Sequence, residues 1–269
     1  MNKQRFTEDY YDRVWTKIFA SISPPEEERI KKILSLIPED CSSILDVGCG
    51  DGRITNRLIS KHRQIVGLER SREALRYVKT ENILGSIDYL PFRKKSFTLI
   101  LCAEVLEHLP FEVYPNALKE IQRVAAKYIL ITVPNSENRK LNFVTCPQCG
   151  CVFHSWRHLR SFIPERMSEL FAQFEVQKLQ LCQSPVKLYP ISLLRLAKLI
   201  RLIPDFPATA LCPQCGYTIL PASEIIHRVN TIKQRNRLIH FLADCMKRLL
   251  PTRKNRGWLI ALYIRKTNI

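Results

Sequence analysis

The sequence predicts an α/β fold built on a mostly parallel sheet, and three observations carry that expectation. A short apolar run (Ile44, Leu45, Val47) ends in glycines at alternate positions, Gly48, Gly50 and Gly52. Glycine lets a backbone turn tightly at the end of a strand and lets a ligand approach where a Cβ would stand. A second apolar run, Gln64 to Leu68, ends in the carboxylate of Glu69, at the distance of about twenty residues at which nucleotide-binding folds place a ribose acceptor. Further apolar runs alternate with segments of helical periodicity.

Taken in order, the chain opens with Tyr10, Tyr11, Val14, Trp15, Ile18 and Phe19 at helical spacing, which suits an amphipathic lid or packing helix. Ser23, two prolines and three glutamates then mark a helix start, and that helix should run to about Ile37. The first strand and its glycine turn follow, and Arg53 to Ser60 read as the beginning of a helix. Ser71 caps a helix after the second strand, and Phe111 to Ala125 read as a further helix. Beyond residue 135 the alternation breaks. Phe174 to Leu181 alternate with period two, and Trp258 to Ile264 form a last apolar strand.

The spacing G-x-G-x-G with Asp46 inside the strand departs from the dinucleotide fingerprint. It resembles the first motif of class I S-adenosylmethionine-dependent methyltransferases, of the type 11 kind. Asp88 in Ser-Ile-Asp-Tyr-Leu-Pro-Phe is similar to that family's acidic residue beside the adenine, Ser96 to Cys102 to its fourth strand, Glu104-Val-Leu-Glu-His-Leu109 to the segment after it, and Tyr128 to Val133 to its fifth strand. The match spans roughly residues 40–135. It implies a Rossmann-like, seven-stranded, mostly parallel sheet with helices on both faces. It also implies S-adenosylmethionine as cofactor. Asp46, Gly48, Gly50, Asp51 and Gly52 would then hold its amino-acid end, Glu69 its ribose and Asp88 its adenine, with Glu104 also on the cofactor. Cys49 and Cys102 have no basic neighbour to activate them and read as small core residues.

In the resembled family the last two strands are joined by a short hairpin, so residues 183–257 are an insertion. The expected organisation is N-terminal helices or lid over 1–40, a core over 41–182 and 258–269 with a knuckle loop at 146–160, and a helical, zinc-binding insertion over 183–257. Cys146-Pro-Gln-Cys149-Gly and Cys212-Pro-Gln-Cys215-Gly are the same five residues twice. Two such knuckles supply the four thiolates of a closed structural zinc site. Such an ion would pin the insertion to the loop after the fifth strand and shape the acceptor pocket. Cys151 and His154 are spare donors.

Glu104, Glu107 and His108 form an E-x-x-E-H cluster similar to the one that binds a divalent cation in small-RNA 2′-O-methyltransferases and ubiquinone O-methyltransferases. His158 lies where a later histidine completes the RNA-enzyme site. Relatives with the same segment and no metal leave His108 a different role, as general base or acceptor-orienting group backed by Glu107. Simple packing is the third.

Residues 1–135 hold 21 Lys and Arg against 18 Asp and Glu, whereas residues 136–269 hold 21 against 7, so +14 of the net +17 lies in the second half. Such a field suits an anionic acceptor: a lipid-linked glycan, a small molecule or RNA. Leu188 to Pro204 interleave leucines with Arg195, Lys198 and Arg201, a pattern that suits either peripheral membrane contact or packing on the parent domain. Ile225 to Leu250 read as a second basic helix. Met1 to Ser21 lack a signal peptide's apolar stretch, and no uncharged run is long enough to span a bilayer. The expectation is a cytoplasmic protein, peripheral at a membrane if that helix docks there, in which ten cysteines serve metal or remain thiols. Val133-Pro-Asn135 stands where base methylases carry N-P-P-Y. The expected chemistry is therefore O-methylation of a small or lipid-linked acceptor (a glycan or quinone-like molecule). RNA ribose methylation is the alternative, and a zinc-stabilised binding protein without turnover is the third reading.

Overall fold

A computed structural model of the 269-residue chain describes residues 8–15, 22–60, 63–183, 185–187, 206–207, 210–218, 252–254 and 257–267. The helices expected within 188–204 and 225–250 lie outside the described residues, as do Ile18 and Phe19 of the first helix. The chain divides into two compact units. The larger holds the described residues up to 139, 157–182 and 257–267, and the smaller holds 140–156 with those between 183 and 254. Residues 140–156 thus group with the insertion.

In the larger unit, α1 (Glu8–Trp15) and α2 (Pro24–Ser35) precede the sheet. Ser23 caps α2, its hydroxyl accepting the Glu26 amide at 3.4 Å. The strands are β1 (Ser43–Val47), β2 (Gln64–Glu69), β3 (Glu81–Leu84), β4 (Phe97–Ala103), β5 (Ala125–Pro134), then, after a hairpin in the smaller unit, β8 (Phe174–Cys182) and β11 (Trp258–Arg265). Helix α3 (Arg72–Leu75) follows β2 and α4 (Tyr114–Val124) precedes β5. Ser71 caps α3 as expected, accepting the Ala74 amide at 3.2 Å.

The sheet order is β3-β2-β1-β4-β5-β11-β8. β3, β2, β1, β4 and β5 run parallel, and β11 lies antiparallel between β5 and β8. This is the seven-stranded, mostly parallel sheet that the sequence led us to expect. Strands covered on both faces read as continuous apolar runs, and β4 shows the division. Leu99 and Leu101 face a core with Ile30 and Ile33 of α2, Ile44, Leu130 and Ile260. Ile100 and Cys102 face the other, with Ala117 and Ile121 of α4, Leu45, Ile129 and Ala261.

One segment departs from expectation. Arg53 to Ser60 make only one tight turn, Thr55–Arg57. Thr55 donates to Asp46 at 2.6 Å, and Asn56 bonds the Tyr77 carbonyl and the Lys79 amide. Short polar side chains spent on tertiary bonds compete with a continuing helix. The segment at Glu104–His108 contains a single tight turn, Leu106–His108.

In the smaller unit, β6 (Phe143–Thr145) and β7 (Val152–His154) form an antiparallel hairpin, and β9 (Pro185–Lys187) pairs with β10 (Thr252–Lys254). Cys146, Phe153, Phe206, Ala210 and Cys212 are buried together, with Val144, Cys151 and Tyr217 against them.

Candidate cofactor site and acceptor-side cluster

The glycine turn closes the C-terminal end of β1, the side on which parallel α/β sheets bind ligands. Gly48 and Gly50 have φ of +75° and +56°, in the left-handed region. A Cβ on Gly48 would stand 2.4 Å from Val105, and one on Gly50 would stand 2.5 Å from the Trp15 ring. The turn is fixed from beneath by the Leu68 carbonyl, which accepts the Gly48 amide at 2.7 Å and the Cys49 amide at 3.1 Å.

Glu69, 7% exposed, ends β2 beside this turn. One carboxylate oxygen accepts the Gly50 amide at 3.0 Å, and the other accepts those of Arg70 at 2.7 Å and Ser71 at 2.9 Å. Burial raises its pKa, and the three amides hold it back. Asp46 is buried in the strand itself. Burial pushes its carboxyl up to about 7, although the Thr55 hydroxyl counters the rise.

Helix α1 supplies side chains that sequence reasoning had not assigned to this site. Asp12 accepts the Ser71 hydroxyl at 2.5 Å and the Glu73 amide at 3.2 Å, and Arg70 lies over the Tyr11 ring at 5.5 Å. The aromatic spacing marked α1 as a packing helix, but nothing local singled out Asp12. Asp51 pairs with Arg53 at 2.9 Å, and Asp88 accepts the Ser86 hydroxyl. Burial raises the thiols of Cys49 and Cys102, which agrees with their reading as core residues.

The E-x-x-E-H segment ends β4, and its members part company. Glu104 has φ +58°. Its carboxylate accepts the Thr132 hydroxyl at 3.0 Å and the Trp258 indole at 2.7 Å, and it pairs with Arg29 at 3.7 Å. Glu107, His108 and His158 come together instead, with a donor atom from each lying within 4.8 Å of the others. Glu104 is not in that group, because its left-handed backbone and its three partners turn it elsewhere. Glu107 is fully buried and neither carboxylate oxygen has a hydrogen-bond partner. Burial drives its pKa well above the usual range, and the Glu104 charge adds to the rise. His108 Nε2 lies 3.9 Å from Glu107 Oε1, with its side chain one-third exposed. The His108 and His158 rings meet edge to face at 4.9 Å, and His158 Nδ1 contacts Glu137 Oε2 at 2.5 Å. Glu137 was not legible in the sequence: it lies 21 positions from its partner and belongs to no motif.

Residues 45–128 match the methyltransferase domain family. That match supports an enzyme. An uncharacterized protein of Methanocaldococcus jannaschii is 33% identical over 92 residues, covering 34% of this chain and 40% of that protein. A ubiquinone biosynthesis O-methyltransferase of Albidiferax ferrireducens is 27% identical over 93 residues, 30% of this chain and 37% of that enzyme. The chain thus matches two fifths or less of the length of these curated relatives. Among solved structures, the N-methyltransferase NodS of Bradyrhizobium japonicum, in complex with S-adenosyl-L-homocysteine, superposes with a TM-score of 0.55 at 12% identity, covering 96% of this chain and 98% of that one. The [4+2]-cyclase SpnF superposes at 0.53 with 14% identity, covering 93% and 84%. These likenesses show the fold, a Rossmann-like methyltransferase architecture. The cyclase illustrates that one architecture hosts more than one reaction.

Proposed function

We propose that this chain is an S-adenosylmethionine-dependent methyltransferase acting on an oxygen of a small or lipid-linked acceptor. The observation that carries the reading is the buried Glu69 carboxylate on the Gly50 amide, at the end of a left-handed glycine turn packed closely against Val105 and Trp15. The residue chemistry fits the cofactor: Glu69 offers carboxylate acceptors to a ribose diol, and the buried carboxyl of Asp46 beside the Gly48 to Gly52 turn offers an acidic group to an amino-acid end. Asp51 and Asp88 complete the set at the amino-acid and adenine ends. When bound, the cofactor supplies a methyl carbon made electrophilic by its sulfonium.

The protein's part is to hold the acceptor in line and to take its proton. Asp46, Gly48 to Gly52, Glu69 and Asp88 would hold the cofactor that supplies the methyl group, and the acceptor oxygen would take it in exchange for its proton. The proton goes to His108, which is partly exposed to an incoming hydroxyl and has Glu107 behind it. Only the ionised form of Glu107 would stabilise the imidazolium by its charge, and burial opposes that form. Positioning in a water-poor cleft supplies much of the remaining rate. Ubiquinone O-methyltransferases among the relatives and the absence of an N-P-P-Y motif favour oxygen as the acceptor atom.

A second reading of the cluster rests on Glu107. A buried carboxylate without hydrogen bonds, beside two imidazoles, suits a divalent cation held by Glu107, His108 and His158 against acceptor hydroxyls. RNA ribose is the alternative acceptor, supported by the +14 balance of the second half. We also propose an anionic acceptor, a cytoplasmic location and peripheral membrane contact through 188–204. No helix among the described residues is long and apolar enough to cross a membrane.

Calorimetry with S-adenosylmethionine tests the donor reading: binding is expected, and Glu69→Ala should weaken it at least tenfold. No binding by folded protein would overturn it. Transfer of labelled methyl into fractionated lysate then separates lipid, small-molecule and RNA acceptors, and no transfer at all would favour a binding protein without turnover.

A further inference from the structure

The geometry points to a structural zinc ion bound by Cys146, Cys149, Cys212 and Cys215 in the smaller unit. The four sulfurs lie within 4.8 Å of one another. The pairs Cys146–Cys215 and Cys149–Cys212, 69 and 63 positions apart in sequence, both stand at 3.6 Å between Sγ atoms. A tetrahedron with Zn–S bonds of about 2.3 Å has edges of about 3.8 Å. Disulfides do not explain the arrangement. All four cysteines are free, and a disulfide requires about 2.05 Å between its sulfurs.

The two knuckles repeat one another in detail, which accidental proximity does not require. Gly150 and Gly216 both have φ of +71°. The Gly150 amide bonds the Cys146 carbonyl at 2.9 Å, and the Gly216 amide bonds that of Cys212 at 3.0 Å. The amides of Cys146 and Cys212 reach the carbonyls of Cys151 and Tyr217 at 2.8 and 2.9 Å, closing each loop at the same point. Backbone amides are also aimed at sulfur: those of Gln148 and Cys149 at Cys146, that of Cys151 at Cys149 and that of Tyr217 at Cys215. Such amide bonds stabilise thiolate charge and orient the ligands.

Four thiolates leave no open coordination position, so the ion holds structure and takes no part in chemistry. Cys151, a spare donor by sequence, lies outside the group and serves through its backbone. Among the described residues the local core joins Phe153 with Phe206 and Ala210, segments far apart in sequence that four shared ligands would staple together.

This inference does not rest on the methyl-transfer reading. The full chain, purified without chelator, should carry about one zinc by elemental mass spectrometry, and a mercurial thiol reagent should release it. Cys212→Ser with Cys215→Ser should lower zinc content at least tenfold, whereas Cys151→Ser should leave it unchanged. Cobalt substituted into the wild-type chain should give thiolate charge-transfer bands of a tetrahedral site, a readout that requires no variant to fold. Metal-free protein with a native circular dichroism spectrum that chelator leaves unaltered would overturn the site. Iron in place of zinc would overturn the assignment of the ion.

Discussion

The Trp258 indole donates to Glu104 Oε2 at 2.7 Å across 154 positions of sequence, tying the first residue of the last strand to the residue that follows the fourth. Glu104 holds a left-handed backbone, with φ +58°, that a non-glycine residue adopts only when its surroundings insist. Those surroundings are Trp258, Thr132 and Arg29. Trp258→Phe keeps most of the ring and removes the donor, leaving one oxygen of a half-buried carboxylate unsatisfied. It should cost roughly 1–3 kcal/mol, read as a lower midpoint in urea unfolding with an unchanged slope.

Gly50→Ala places a methyl group 2.5 Å from the Trp15 ring on a backbone of φ +56°. Either α1 gives way or the turn does. S-adenosylmethionine affinity should fall at least tenfold in calorimetry, whereas Gly150→Ala, whose Cβ would meet nothing within 4 Å, should leave that affinity intact.

Asp46 sets a pH dependence of cofactor binding. Its carboxyl is raised from an ordinary 3.8 to about 7 by burial, with the Thr55 bond opposing and the Glu69 charge adding. A raised carboxyl favours the folded state when neutral, so its contribution to stability is complete below about pH 4 and is lost as pH rises through about 7. Binding of a cationic ligand runs the other way, because only the carboxylate attracts it. Affinity should therefore increase from pH 6 to pH 8, and Asp46→Asn should flatten that rise.

Asp12→Ala removes the acceptor that meets the Ser71 hydroxyl and the Glu73 amide. Amide hydrogen exchange over residues 8–15 should accelerate markedly. Global stability should fall by only about 1 kcal/mol, since α1 contributes little to the two cores flanking the sheet.

His108→Ala should lower kcat by roughly 10²-fold or more, with S-adenosylmethionine affinity unchanged. Weakened cofactor binding in the same variant would show that the histidine belongs to the donor side.

The parallel core was legible because its signals are local. The apolar run into the glycine turn, the Ser23 and Ser71 caps and the apolar run of Trp258 to Ile264 each declare themselves within a few residues. β3 did not: Glu81, Asn82 and Leu84 are exposed on an edge strand, and an edge carries little of the apolar run that marks central strands. The candidate site was legible as an inventory more than as an arrangement. The sequence offered Glu104, Glu107 and His108 as one cluster, whereas the left-handed Glu104 turns its carboxylate toward Arg29, Thr132 and Trp258. Glu137 and Asp12 act through partners 21 and 59 positions away, a relation that composition and periodicity do not encode.

The place of β11 between β5 and β8 has a temporal meaning. As the chain leaves the ribosome, β5 and β8 are complete while the strand that must separate them is still to come, behind residues 183–257. At roughly 5–20 residues per second that interval lasts roughly 4–15 s. For that time the apolar β5 edge stands open, an invitation to wrong pairing. Closure of the sheet therefore waits on the synthesis of Trp258 to Arg265, and a ribosome that stalls inside the insertion releases a chain with its glycine turn intact and its sheet unsealed.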